Sequence, residues 1–260
     1  MAIRGAILGD ILGSKYEFDR PKNLDWENVK LYDPTKADVT YTDDTVMTLA
    51  IKKAILENKD LIETMQYMGL KYPDAGYGER FYQWLRSDGK PYNSWGNGSA
   101  MRVAFIGEYF NDIKDVQAWA KKSAAVSHNH PEGVKGAVVT ATCIWMAKHK
   151  MSKEDIYKFV LKVYPPEQYK FSGKDLDYLR FHCKWSVHCA DCVPVAMRCF
   201  YESDSYESFI RNVISMDCDT DTIAAIGGGV AEEFYGGTGL DEEVILQDVL
   251  DTYLYNLLTR

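Results

Sequence analysis

The stretch Met216-Asp217-Cys218-Asp219-Thr220-Asp221-Thr222 runs straight into Ile223-Ala224-Ala225-Ile226-Gly227-Gly228-Gly229-Val230. Three carboxylates within five residues stand immediately before an apolar helical run. Charge that dense beside a core repels itself and raises its own pKa values. Two readings accommodate it. In the first, Asp221 or Thr220 caps the helix and the other acids favour its positive end. In the second, a bound cation relieves the repulsion, and Asp and Thr oxygens suit a hard ion such as Mg²⁺ or Mn²⁺ better than zinc. Each glycine of the 227–229 run costs a helix about 1 kcal/mol relative to Ala. Close helix packing or a nearby ligand must compensate. Gly236-Gly237 stops the helix.

Working outward, Tyr41-Thr42-Asp43-Asp44-Thr45 followed by Val46 to Leu56 has the same construction: hydroxyl and carboxylate oxygens, then a mostly apolar helix. Two acid-tipped helices in one chain can bring their tips together. Residues 3–16 read as a helix with Gly5, Gly9 and Gly13 on one face, where another backbone can approach closely. Asp10 and Glu17 are its acids, and taken singly such acids read as solvated surface. Residues 18–40 carry turn formers without periodicity and read as a long loop, a kind often functional in compact domains.

Further helices are expected at about 60–70, 77–86, 112–125, 132–149, 152–163, 189–201, 206–215, 221–235 and 241–257, with 167–185 irregular and aromatic. Gly96-Asn97-Gly98-Ser99 opens an expected helix at about 98–110. Its unobstructed N–H groups suit a phosphate or sugar hydroxyl, though it also reads as a plain turn. Lys90 to Met101 contains no carboxylate, so this loop contributes no metal ligand. His128 and His130 precede a helix as metal ligands, bases, ring contacts or solvated loop residues. His182-Cys183 through His188-Cys189-Ala190-Asp191-Cys192 lacks the second ligand pair that zinc needs, and reads as a loop-to-helix junction. No useful β-alternation and no repeat is present. The fold expectation is all-α, one compact orthogonal multi-helix domain over residues 1–260.

Composition narrows the partners. Hydrophobic residues make up 46% of the chain, which marks it as globular. Thirty basic against 38 acidic residues give a net charge of −8 with no run of like charge, which argues against a nucleic-acid surface. Asp10 interrupts the apolar N-terminus too early for a signal-peptide core, and no apolar run reaches about 18 residues. A soluble, cytoplasmic protein without a membrane partner is expected. Cysteines 143, 183, 189, 192, 199 and 218 are read as reduced thiols.

Four stretches, in order, resemble the ADP-ribosylglycohydrolase family: Gly5-Ala6-Ile7-Leu8-Gly9-Asp10-Ile11-Leu12-Gly13 with Glu17; Tyr41 to Thr45; Gly96-Asn97-Gly98-Ser99-Ala100-Met101-Arg102; and Asp219 to Ile226. The resemblance implies two divalent cations, Mg²⁺ before Mn²⁺, at the bottom of a cleft. It implies Thr42, Asp43, Asp44, Asp219, Asp221 and Thr222 as their ligands, with Glu17, Asp43, Asp44 and Asp219 in the chemistry. Asn97, Gly98, Ser99 and Met101 would lie along the ribose and diphosphate, and His128 near the nucleotide. Asp10 would sit behind the ligands and hold their loops. Cys189 to Pro194 would form cleft wall. The implied activity is hydrolysis of the glycosidic bond at the anomeric carbon of ADP-ribose carried by a protein side chain or a small molecule. Two other classes stay open: a catalytically silent ADP-ribose-binding or structural member of the fold, and a metal phosphohydrolase acting on nucleotides.

Overall fold

A computed structural model of the chain describes residues 2–18 and 20–260. Among these residues there are fourteen α-helices and no β-strand. They are α1 (Ala2–Glu17), α2 (Asp43–Leu56), α3 (Leu61–Lys71), α4 (Glu79–Trp84), α5 (Ala104–Tyr109), α6 (Ile113–Ala125), α7 (Pro131–Lys148), α8 (Lys153–Val163), α9 (Leu176–His182), α10 (Cys189–Tyr201), α11 (Tyr206–Ile214), α12 (Thr220–Tyr235), α13 (Glu242–Val249) and α14 (Thr252–Thr259). A 3₁₀ turn covers Asn97–Ser99. No helix of the described residues is long and apolar enough to cross a membrane.

Short polar side chains set many of the boundaries. Thr42, Asp60, Asp112, Ser152, Asp175, Ser205 and Asp251 each accept a backbone N–H of the helix they precede. Such a cap is worth about 1 kcal/mol. Three expectations are corrected, one by a long-range hydrogen bond and two by such caps. The helix expected at 98–110 is a 3₁₀ turn and a separate α5, because Asn97 N–H bonds Val187 C=O at 2.7 Å and pulls the backbone away from a helical course. The helix expected at 241–257 is two, because Leu250 is extended and Asp251 restarts the helix through Tyr253 and Leu254 N–H. The segment expected to be irregular contains α9, opened by the Asp175 cap.

The centre of the fold is α12, buried continuously from Thr220 to Glu232. It packs against α1, α7, α10 and α11. Its contact with α1 is backbone on backbone. A Cβ placed on Gly5 would lie 2.4 Å from Gly228 O, on Gly9 2.3 Å from Ala224 O, and on Gly13 2.5 Å from Thr220 O. Both stripes step by four residues and run in opposite directions, so one small-residue face meets the other along three turns. Gly227 is packed beneath the Phe209 ring and Gly228 faces Gly5 O. Close packing therefore answers the helical glycines. Gly236, with φ of 78°, ends α12 in the left-handed conformation.

Gly9→Ala must push two helix backbones apart, and is expected to cost about 1–3 kcal/mol in urea denaturation. Gly78→Ala, at a position with open space around it and φ of −57°, should change stability by less than about 0.5 kcal/mol. Equal effects at the two sites would contradict the packing assigned to Gly9.

Candidate active site

Antiparallel packing puts the C-terminal end of α1 beside the N-terminal end of α12, and Thr220 Oγ1 donates to Gly13 O at 2.8 Å to pin the crossing. The N-terminus of α2 arrives at the same place through Asp10. This carboxylate is fully buried in mid-α1 and accepts from Thr42 N at 2.9 Å, Thr42 Oγ1 at 2.7 Å, Thr45 N at 3.1 Å and Thr45 Oγ1. The two acid tips then touch: Thr222 Oγ1 donates to Asp44 Oδ2 at 3.2 Å, across 178 residues of chain. Asn97 Nδ2 donates to Asp219 Oδ2 at 2.7 Å and so ties the glycine loop to the same cluster. Carboxylate oxygens of Asp10, Asp44 and Asp221 lie within 4.8 Å of one another, as do those of Glu17, Asp219 and Asp221. Asp221 belongs to both groups.

None of the ion pairs among the described residues involves these five acids or Asp43. Burial, then mutual repulsion, pushes Asp43, Asp44 and Asp221 well above the usual carboxylate range. Burial raises Asp10 as well, against four hydrogen bonds that favour its charged form. Asp219 is pushed up to about 6, chiefly by burial. Glu17 is pushed up to about 8 by burial and then by the charge of Asp221, while a hydrogen bond from Trp185 opposes the rise. The positive N-terminal ends of α2 and α12 both face the cluster and offset part of the repulsion. One atom is left over: Asp44 Oδ1 is buried without a hydrogen-bond partner.

The cluster forms one end of a cavity of about 520 Å³, a usual size for a small-ligand site. Arg80, Phe81, Tyr92, Arg102 and His128 line it as well. Arg102 is fully buried; burial lowers its pKa to about 10. Its Nη2 donates to Ser123 O at 2.7 Å and Ser127 Oγ at 3.0 Å, and its Nε has no partner. Ser127 Oγ lies 2.8 Å from His128 Nδ1. Because Ser127 accepts from Arg102, its own proton is free for Nδ1, which leaves the ring hydrogen on Nε2. Burial first, and the charges of Arg102 and Arg80 next, hold His128 well below the usual histidine range, so the ring is neutral. Gly98 lies against that ring; a Cβ there would be 3.2 Å from Nε2.

The residues expected at the site divide as follows. Glu17, Thr42, Asp43, Asn97, Gly98, Met101, His128, Asp219, Asp221 and Thr222 all line the cavity. Asp44 stands just behind it and Asp10 behind that, holding the α2 tip. Ser99 is a correction. It is fully buried, and its hydroxyl donates to Gly133 O at 2.7 Å instead of facing a ligand. The wall expected from Cys189 to Pro194 is formed by Trp185 and Val187 instead, because the thiols of Cys189 and Cys192 point inward to Gly96 O and Ser186 O. Asp217 stays outside the cluster and faces Lys184 at 3.5 Å. The helix cap expected from Asp221 or Thr220 falls to Asp219, whose carboxylate makes no capping bond because Asn97 holds it. His130 caps α7 and is not part of the cavity lining. All six cysteines are free. Phe18, Arg80, Phe81, Tyr92, Arg102 and Trp185 were not picked out as site residues from sequence. Only the Met101-Arg102 pair lay inside a recognisable motif.

The family model for ADP-ribosylglycohydrolase matches residues 1–258. ADP-ribosylhydrolase ARH3 of Homo sapiens is 27% identical over 306 residues, covering 90% of this chain and 84% of that protein. The ADP-ribosyl-[dinitrogen reductase] glycohydrolase of Rhodospirillum rubrum is 24% identical over 222 residues, covering 75% and 69%. A solved structure of an ADP-ribosylglycohydrolase-related protein complex superimposes with a TM-score of 0.75 over 98% of this chain and 93% of that one, at 18% identity, which speaks for the fold. With a match across 258 residues and an acid cluster gathered from both ends of the chain, the protein belongs to the ADP-ribosylglycohydrolase family.

Proposed function

We propose that this chain, acting as one domain over residues 1–260 in the cytoplasm, is a metal-dependent ADP-ribosyl hydrolase. Its substrate is ADP-ribose attached to a protein side chain or a small molecule, and its product is free ADP-ribose. The observation that carries the reading is Asp44 Oδ1: a buried carboxylate oxygen without a donor, amid acids from three helices and without an ion pair among the described residues. An uncompensated buried charge is costly. The donor set of carboxylate and hydroxyl oxygens fits two hard divalent cations, Mg²⁺ before Mn²⁺, held by Thr42, Asp43, Asp44, Asp219, Asp221 and Thr222. Bound there, such cations neutralise the acids and orient the vicinal ribose hydroxyls and a water.

The chain's own residues supply the rest. Asp10 and Asn97 hold the two tips in place. The N–H of Gly98 on the cavity lining and the field of buried Arg102 receive the diphosphate that an acidic protein would otherwise repel. The neutral His128 ring offers its Nε2 hydrogen toward the Gly96–Gly98 loop and the nucleotide. Glu17, at the cavity edge, passes a proton to the departing group or takes one from the attacking water. The bond from the anomeric carbon to the leaving atom breaks through an oxocarbenium-like state that nearby carboxylates stabilise.

ADP-ribosylated peptides of defined linkage and O-acetyl-ADP-ribose, each assayed with and without chelator, test the reading. Free ADP-ribose should appear only with the cation present. Asp43→Ala and Asp219→Ala should each lower turnover at least about a hundredfold with the helical circular dichroism unchanged, since even residues behind metal ligands cost 10–100-fold. AMP or phosphate as product would point to a phosphohydrolase. Tight ADP-ribose binding without release would point to a silent binding protein.

Stability gives a second test. Acids whose folded pKa is raised bind more protons folded than unfolded, so their contribution falls as pH rises between the two values. For Glu17, pushed from 4.5 up to about 8, that window reaches pH 8, while for Glu232, pushed up by burial to about 7, it closes near pH 7. Below about pH 6.5 the lowered pKa of His128 acts in the opposite sense. In chelator, Tm should therefore fall as pH rises from 7 to 8.5. Saturating Mg²⁺ or Mn²⁺ should raise it, and more so at the higher pH, because a cation needs the acids ionised. A melting temperature indifferent to the cation throughout this range would contradict the proposed metal site.

A further inference from the structure

Three large apolar side chains stand exposed at one point of the cavity mouth: Phe18 at 77% exposure, Trp185 at 49% and Val187 at 41%. Exposed apolar side chains gathered at a cleft mark a contact surface. Trp185 Nε1 donates to Glu17 Oε1 at 3.4 Å, and its ring meets Phe18 at 6.3 Å between centroids, tilted by 42°. The backbone beneath is held firmly. Asn97 N–H bonds Val187 O at 2.7 Å and Cys189 N–H bonds Trp95 O at 3.1 Å. Ser186 Oγ donates to Asp191 at 2.7 Å, and Cys192 Sγ to Ser186 O at 3.0 Å. A fixed backbone thus presents an aromatic surface to solvent at little further entropic cost.

Trp185 and Phe18 stand over Glu17, whereas Val187 O and the His128 ring flank Gly96 together. A ligand whose anomeric carbon lies by Glu17 turns whatever hangs on that carbon toward Trp185. We propose that Phe18 and Trp185 form a specificity wall for the leaving-group side of the substrate, and that Trp185 is also a positioning residue for Glu17. The inference rests on the ADP-ribosyl hydrolase reading. The occupant is an acceptor amino-acid side chain together with its neighbouring peptide. An acetyl group is too small to cover rings that each offer 150–250 Å².

Trp185→Ala, Trp185→Phe and Phe18→Ala, assayed on an ADP-ribosylated peptide, on O-acetyl-ADP-ribose and for calorimetric binding of free ADP-ribose, test the wall. Trp185→Ala should raise KM for the peptide about tenfold, the scale of one lost aromatic contact, and lower kcat. Affinity for free ADP-ribose and KM for O-acetyl-ADP-ribose should stay within about twofold. Trp185→Phe keeps a ring but removes the N–H, so kcat should fall while peptide KM stays within about threefold. Phe18→Ala, at a largely exposed position, should raise peptide KM without lowering Tm. An unmoved peptide KM in both alanine variants, or an equal loss of free ADP-ribose affinity, would overturn the proposal. If the wild type releases ADP-ribose from nothing, the hydrolase reading has failed on its own. The ratio of affinities for ADP-ribosylated peptide and ADP-ribose then reads the wall: a drop of about tenfold in the alanine variants supports it, and an unchanged ratio sinks it.

Discussion

Everything in the molecule leans on the contact between α1 and α12, where glycines on one helix admit the backbone carbonyls of the other. Gly5, Gly9 and Gly13 face Gly228, Ala224 and Thr220, and a methyl group at any of the three positions would collide with main chain, which cannot rotate away. The contact sets an axial register. One helical turn is about 5.4 Å, more than the 4.8 Å limit within which the clustered carboxylate oxygens lie. A slip of one turn would therefore part Glu17 from Asp221. One step round the helix from Gly9, Asp10 turns toward α2, where its two oxygens collect four donors from Thr42 and Thr45. Helix packing, not loop geometry, brings the acids together.

The cluster works against the stability of the fold that builds it. Six carboxylates with raised pKa values are assembled, five at helix ends and Asp10 in mid-α1, and only hydrogen bonds and two helix dipoles offset their repulsion. A chain under pressure for stability alone would replace such groups with apolar ones. The cavity lining carries both the acids and the buried Arg102 guanidinium, whose Nε has no partner among the described residues. That arrangement suits a ligand carrying phosphate in one half and a ring of hydroxyls in the other, and it is built within a protein whose net charge is −8.

Much of the architecture is local and was readable from the chain. Helix starts follow short polar caps such as Thr42, Ser152 and Ser205, and the stripe at Gly5, Gly9 and Gly13 announces a close partner by its spacing alone. Errors arose where a distant contact overrode local preference. The stretch after Asn97 has helical character, yet a bond to Val187 bends it into a single tight turn. Ser99 sits between two cavity residues, yet it faces Gly133 on α7. Cys189 and Cys192 belong to the helix beside the cavity, yet their thiols turn inward and leave the wall to Trp185 and Val187.

By itself, the order of residues determined which side chains are hard-oxygen donors, that each acid group tips an apolar helix, and that the regular structure is helical. These are properties of composition and short-range periodicity, which an isolated segment already possesses. Only the tertiary structure decided that Asp44 reaches Thr222, that Asp219 is held by Asn97 while Asp217 faces Lys184, and that Arg102 is buried with its Nε unpartnered among the described residues. Those facts depend on where elements far apart in the chain come to rest, and no local preference encodes the distance between two helix ends.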